Sequence, residues 1–94
     1  MQRYVIERDL PGVGGFSPDQ IRDASKASCD AVLEVGAGIQ WEHSYLTGDR
    51  LYCIYLAESE QLVREHAKRA GLPANRVVEV KQILDPLSAS LPGQ

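Results

Sequence analysis

The side chains with the widest chemical reach in this sequence crowd into one stretch, WEHSYLTGDRLYCIYLAESEQLVREHAKRAGLP, from Trp41 to Pro73. It holds both histidines and one of the two cysteines. An imidazole near a carboxylate can act as acid and base, because the carboxylate fixes its tautomer. The same donors, completed by water or by another subunit, suit Ni(II) or Zn(II), with Cu(II) competing strongly by intrinsic affinity. His43 and His66 are therefore the candidate metal anchors, each acting independently, and Glu42 and Glu65 are their neighbouring carboxylates. Glu7 and Asp9 join the set only if the sheet edge brings them close. The segment REHAKR is not a zincin HExxH, since the second histidine is missing. Glu65 and His66 are adjacent on a helix, so they diverge by about 100° and do not chelate as an i,i+4 pair does.

A catalytic set is the second possibility. His43 would be the base, with Tyr45, Cys53 and Tyr55 orienting a substrate. Cys53 on a strand beside His43 could also give a thiol of lowered pKa. Ser44 is no hydrolase nucleophile: neighbours on a strand point to opposite faces, and there is no G-x-S-x-G elbow. The structural alternative is that His43 donates to a tyrosine, a carboxylate or a backbone carbonyl and helps to seal an interface. Cys29 and Cys53 make no CxxC and at most one disulfide; two reduced, partly buried thiols are expected.

The elements that must position these groups can be read in order. RYVIERD (residues 3–9) is a strand that stops at Leu10-Pro11-Gly12. The following GVGGF lacks both GxGxxG and GxxxxGK[ST], so it is a connection rather than a phosphate loop. Ser17 caps a helix with Pro18 at N1 and Gln20 at the N3 place of a capping box. Its inward stripe is Ile21, Ala24, Ser28, Ala31 and Val35, and Gly36 and Gly38 end it. Ile39 to Leu46 and Leu51 to Leu56 form a hairpin around Thr47-Gly48-Asp49. Glu58-Ser59-Glu60 opens a second helix through Ala70, closed by Gly71 and Pro73. Arg76 to Leu84 is the last strand.

Trp41, His43 and Tyr45 alternate onto one side of their strand. An even turn adds Tyr52, Ile54 and Leu56 to that side; an odd, bulged turn adds Cys53 and Tyr55. The odd turn is preferred, because it reserves Ile54 and Leu56 for the core. The open face then carries His43, Tyr45, Cys53 and Tyr55, with Glu79 and Lys81 toward the same surface.

Strand-helix-strand-strand-helix-strand is the split βαβ, ferredoxin-like pattern: an α+β fold with a four-stranded antiparallel sheet and both helices on one face. The opposite face is aromatic and uncovered. A homodimer joined through these faces, in the manner of a dimeric α/β barrel, would hide it. At about 25 cal/mol per Å², that burial is worth several kcal/mol to so small a domain.

Composition narrows the function classes. The 94 residues make one domain, with 86–94 as a loose tail. The formal net charge is -3 with both signs interspersed, so no basic face exists for nucleic acid. No apolar run approaches the ~20 residues that span a bilayer, and the N-terminus has no h-region. Cytoplasmic residence is expected.

The segments RYVIERDLPGVG and QWEHSYLTGDRLYCIYLAESEQLVREHAKRAGLPANRVVEVKQILDP resemble the small family of bacterial ferredoxin-like proteins that includes a nickel-binding member. The resemblance runs from Tyr4 to Pro86, with landmarks at Trp41, His43, Ser44, Tyr45, Cys53, Tyr55, His66 and Gly71. It implies a ferredoxin-like homodimer, in some members carrying nickel at the dimer surface and sequestering it. The expected function is thus a small homodimeric metal-binding protein, with nickel as the metal. The competing expectations are a small-molecule binder or enzyme working on the open face through His43, and a purely structural dimer.

Overall fold

The computed structural model describes residues 1–93, so Gln94, the last residue of the expected loose tail, lies outside the described residues. Its regular elements are β1 (Gln2–Asp9), α1 (Pro18–Val35), β2 (Ile39–Leu46), β3 (Arg50–Ala57), α2 (Glu60–Ala70) and β4 (Arg76–Val80). The strands form one antiparallel sheet in the order β2-β3-β1-β4. This is the ferredoxin-like α+β fold expected from the element order.

Local chemistry explains the boundaries. The Ser17 hydroxyl accepts from the Gln20 amide, and the Gln20 side chain accepts from the Ser17 amide. Both ends of the capping box are therefore closed before the 18-residue helix begins. Ser59 caps α2 by accepting from the Leu62 amide, and Gly71 ends it in the left-handed region at φ 70°. β4 stops at Val80, short of the Leu84 expected from the run of Val and Ile. Val80 pairs with Arg3, one residue from the start of β1, so the partner strand runs out well before Leu84, and a short 3-10 turn at Pro86–Ser90 follows.

One sheet face is packed. Along β1 the inward phase is Tyr4, Ile6 and Arg8, all buried. Cys53, Tyr55 and Ala57 of β3, Ile39 of β2 and Val63 of α2 complete the core, with Val32 and Val35 of α1 packed against it. Among the described residues, no helix lies over the opposite face. Val5, Ile54, Leu56 and Val80 lie there half-buried, and Val78 is exposed. Residues 81–93 run out along the surface with Ile83, Leu84, Leu87 and Leu91 exposed. That arm contributes to a radius of gyration of 14.7 Å, against about 12 Å for a compact chain of this length.

Candidate functional site

The hairpin register decides which chemical groups meet. Leu46 pairs with Leu51 and Tyr45 with Tyr52, so the turn spans residues 47–50 and the odd turn is not formed. The irregularity sits instead inside β2, between Trp41 and His43, where Glu42 is the extra residue. A bulge of this kind reverses the phase of everything beyond it. Trp41 pairs with Tyr55 and Ser44 with Cys53, on the helix side, whereas His43 pairs with Ile54 on the open side.

The expected cluster of His43, Tyr45, Cys53 and Tyr55 is therefore divided by the sheet. His43 and Tyr45 stay together on the open face, and Cys53 and Tyr55 belong to the core. A Cys53–His43 pair does not form. Glu79 and Lys81 also leave the open face: Glu79 pairs with Tyr4, in the buried phase of β1. The even turn parts His43 and Tyr45 from Cys53 and Tyr55, the inserted residue turns Trp41 to the helix side, and the regular pairing with β1 sets the phase of β4. Period-two alternation marks none of the three.

On the open face, the His43 Nε2 lies 3.2 Å from the Tyr45 hydroxyl, and the rings meet edge to face at 5.1 Å. Both side chains are exposed. Glu42 is held by Arg3, whose Nε donates at 2.7 Å and Nη2 at 3.3 Å. That bond, with the Arg3 charge, holds the Glu42 carboxyl below the ordinary carboxylate range, and His43 adds a smaller effect of the same sign. Glu7 lies within 3.8 Å of Arg50 and 3.7 Å of Arg76, and Asp9 pairs with Arg50 at 2.7 Å. All four candidate carboxylates on this strand layer and on α2 are thus engaged by arginines, Glu65 by Arg69.

His66 is fully buried, on the other side of the sheet from His43. Its Nε2 donates to the Ser28 carbonyl at 3.0 Å, which makes it the neutral Nε2–H tautomer and leaves Nδ1 buried without a partner. Burial lowers its pKa below the ordinary imidazole value; the bond to Ser28 opposes this and the Arg8 charge adds to it. The Tyr55 hydroxyl and Ser28 Oγ are 3.2 Å apart, and the Tyr55 and His66 rings lie 4.8 Å apart. Burial pushes the Tyr55 phenol up, against the pull of Ser28 and Arg8.

Arg8 is the residue that the sequence reading passed over. Its guanidinium is fully buried, with Nε donating to Cys53 Sγ at 3.4 Å and Nη1 to the Pro73 carbonyl at 2.6 Å. Nη2 has no partner, and none of the ion pairs among the described residues includes Arg8. The signal was present: Tyr4, Ile6 and Arg8 share one phase of the strand. Between α1 and the sheet lies a pocket of about 380 Å³, which Arg8 does not line but which its partner Cys53 does. Cys53, Tyr55 and Ser28 line it, together with Trp41 and apolar residues from the 10–16 loop and from the hairpin. A second, shallower hollow is lined by Cys29, Val32, Leu33 and Trp41. Neither contains His43.

Among the described residues, no three His, Cys, Asp or Glu side chains stand close enough together to hold a metal ion. No helix of the described residues is long and apolar enough to cross a membrane.

Comparison with known proteins follows the same outline. No curated protein matches the chain in sequence. Among solved structures, it is similar to SCO4226 from Streptomyces coelicolor A3(2), with 20% identity and a TM-score of 0.73. The match covers 87% of this chain and 99% of that one. At that identity the likeness speaks for the fold. Residues 4–80 match the family described as SCO4226-like, nickel responsive protein. The chain belongs to the SCO4226-like family of nickel responsive proteins.

Proposed function

We propose that this chain is a nickel-binding protein acting as a homodimer, with the metal bound where two open sheet faces meet and His43 as its anchor. The observation that carries this reading is the position of His43, an exposed imidazole on a sheet face that no helix of the described residues covers. The centre of that face is apolar, with Val5, Ile54, Leu56 and Val80, and its rim is charged, with Arg3–Glu42 and Arg50–Asp9. An apolar centre within a polar rim is the anatomy of an interface between subunits. The exposed apolar arm at residues 83–91 offers further surface to a second copy.

A second copy also answers the shortage of ligands. One imidazole from each partner, completed by water or by a carboxylate released from its arginine, is a donor set that nickel accepts. His66 is the weaker anchor, because it is buried and has the Arg8 cation nearby, which disfavours a metal ion. Nickel is cargo in this reading, bound and given up, and the family description supports that metal over others. The unpaired thiols of Cys29 and Cys53 suit a reducing, cytoplasmic setting.

Calorimetric titration with Ni(II) tests the reading. The parent and His66→Ala should show saturable uptake in the micromolar range, and His43→Ala should lose it. Equal uptake by His43→Ala, or none by the parent, defeats it.

A further inference from the structure

The helix side of the sheet holds a feature that nickel binding does not use. Its pocket is walled by apolar side chains, and its polar lining is made of hydroxyl and thiol groups with no acidic side chain among them. Directly behind the wall, touching Cys53, stands the Arg8 guanidinium, fully buried and lacking an anionic partner. A buried cation without a counter-charge is costly, and an anion placed beside it recovers part of that cost. The pocket is where such an anion can enter.

We infer that the pocket between α1 and the sheet binds a small, mostly apolar organic acid, with its carboxylate near Ser28 and Tyr55 and Arg8 as the buried counter-charge. The hydrogen-bond chain favours this orientation. His66 Nε2 donates to the Ser28 carbonyl and lies 3.4 Å from Ser28 Oγ. Ser28 can then donate to Tyr55, which leaves the phenolic proton free for an acceptor in the pocket. Ser44 is similar: it accepts from Trp41 Nε1 at 3.0 Å, and its own proton remains to be given. The lining is thus a set of donors before a positive charge. About 380 Å³ is ample for an acid of eight carbons. The ligand's tail would lie among Leu46, Phe16 and Ile21 toward the mouth.

Octanoate and octanol are matched probes for this inference, since they share a tail and differ in charge. Trp41 is the single tryptophan and lines the pocket, so its fluorescence reports occupancy in metal-free protein. Octanoate should bind saturably and at least tenfold more tightly than octanol, and Arg8→Met should reduce that preference to about one while octanol binding persists. The parent comparison needs no variant, so a folding failure of Arg8→Met leaves the test intact. Equal affinity for the acid and the alcohol, or no change in Trp41 emission up to the solubility of either probe, overturns the inference. The outcome is separate from the nickel reading, because no metal is present and His43 lies on the opposite face.

Discussion

Replacing Arg8 with methionine should leave the fold nearly as stable as before, although the residue is fully buried. Taking a guanidinium out of water costs several kcal/mol even after the surroundings relax. Against this, the chain returns two charge-assisted hydrogen bonds, to Cys53 Sγ at 3.4 Å and to the Pro73 carbonyl at 2.6 Å. Such bonds contribute about 1.5–3 kcal/mol each, the long contact to sulfur at the lower end. Nη2 returns nothing. The two sides nearly cancel. Methionine fills similar space with no charge to desolvate, and leaves the Pro73 carbonyl short of a donor at a cost of about 1–3 kcal/mol. The net change should fall within about 2 kcal/mol of zero. Urea denaturation at pH 7 checks this: with a slope of about 1–3 kcal/mol per M, the midpoint should move by no more than about 2 M at the lowest slope and about 0.7 M at the highest. A loss of about 3–5 kcal/mol, the magnitude seen when one member of a buried ion pair is removed, would refute the reasoning. It would mean that an anion within the fold already neutralises Arg8.

Three further outcomes are expected. Acidification should destabilise the protein through His66: its folded pKa is depressed by burial, so the unfolded chain takes up the proton first as the pH falls below the ordinary imidazole value. Stability then declines at up to ~1.4 kcal/mol per pH unit, and His66→Gln should flatten the thermal midpoint between pH 7.5 and pH 5. Gly14→Ala should cost about 1–3 kcal/mol in urea, because its Cβ would meet the Thr47 carbonyl oxygen at 2.8 Å and the Gly48 Cα at 2.9 Å; Gly38→Ala, which meets side-chain ends alone, Leu62 at 2.7 Å and Glu58 at 3.3 Å, should cost less. Ile54→Glu places a charge at the centre of the open sheet face and should lower self-association at least tenfold by sedimentation equilibrium, with the circular dichroism spectrum unchanged.

The parts of this fold that were legible beforehand rest on short-range chemistry. Ser17, Pro18 and Gln20 specify a helix start through bonds within one turn, and Gly71 specifies a stop through its backbone freedom. Neither depends on what packs nearby. The element order followed from these boundaries, and with it the ferredoxin-like topology. Side-chain orientation in β2 was not legible, because it depends on the parity of the turn and on the bulge at Glu42, neither of which the alternation of residue types marks. Trp41 and His43 stand two residues apart, yet face opposite ways. The buried polar group was half visible. Ser28 sat in the expected stripe of α1 and Tyr55 was already a candidate, but Arg8 looked like the polar end of a strand. Only the packing of Pro73 and Cys53 around it makes it a core residue. Nickel, in turn, came from the resemblance and the family match, since no three metal-ligating side chains gather among the described residues.

Diffraction from nickel-loaded crystals on either side of the nickel absorption edge tests the central claim most directly. The expected result is an anomalous peak at His43 Nδ1 or Nε2, lying between the open sheet faces of two copies. A peak bound elsewhere, or well-ordered crystals of loaded protein with no peak near His43, would contradict it.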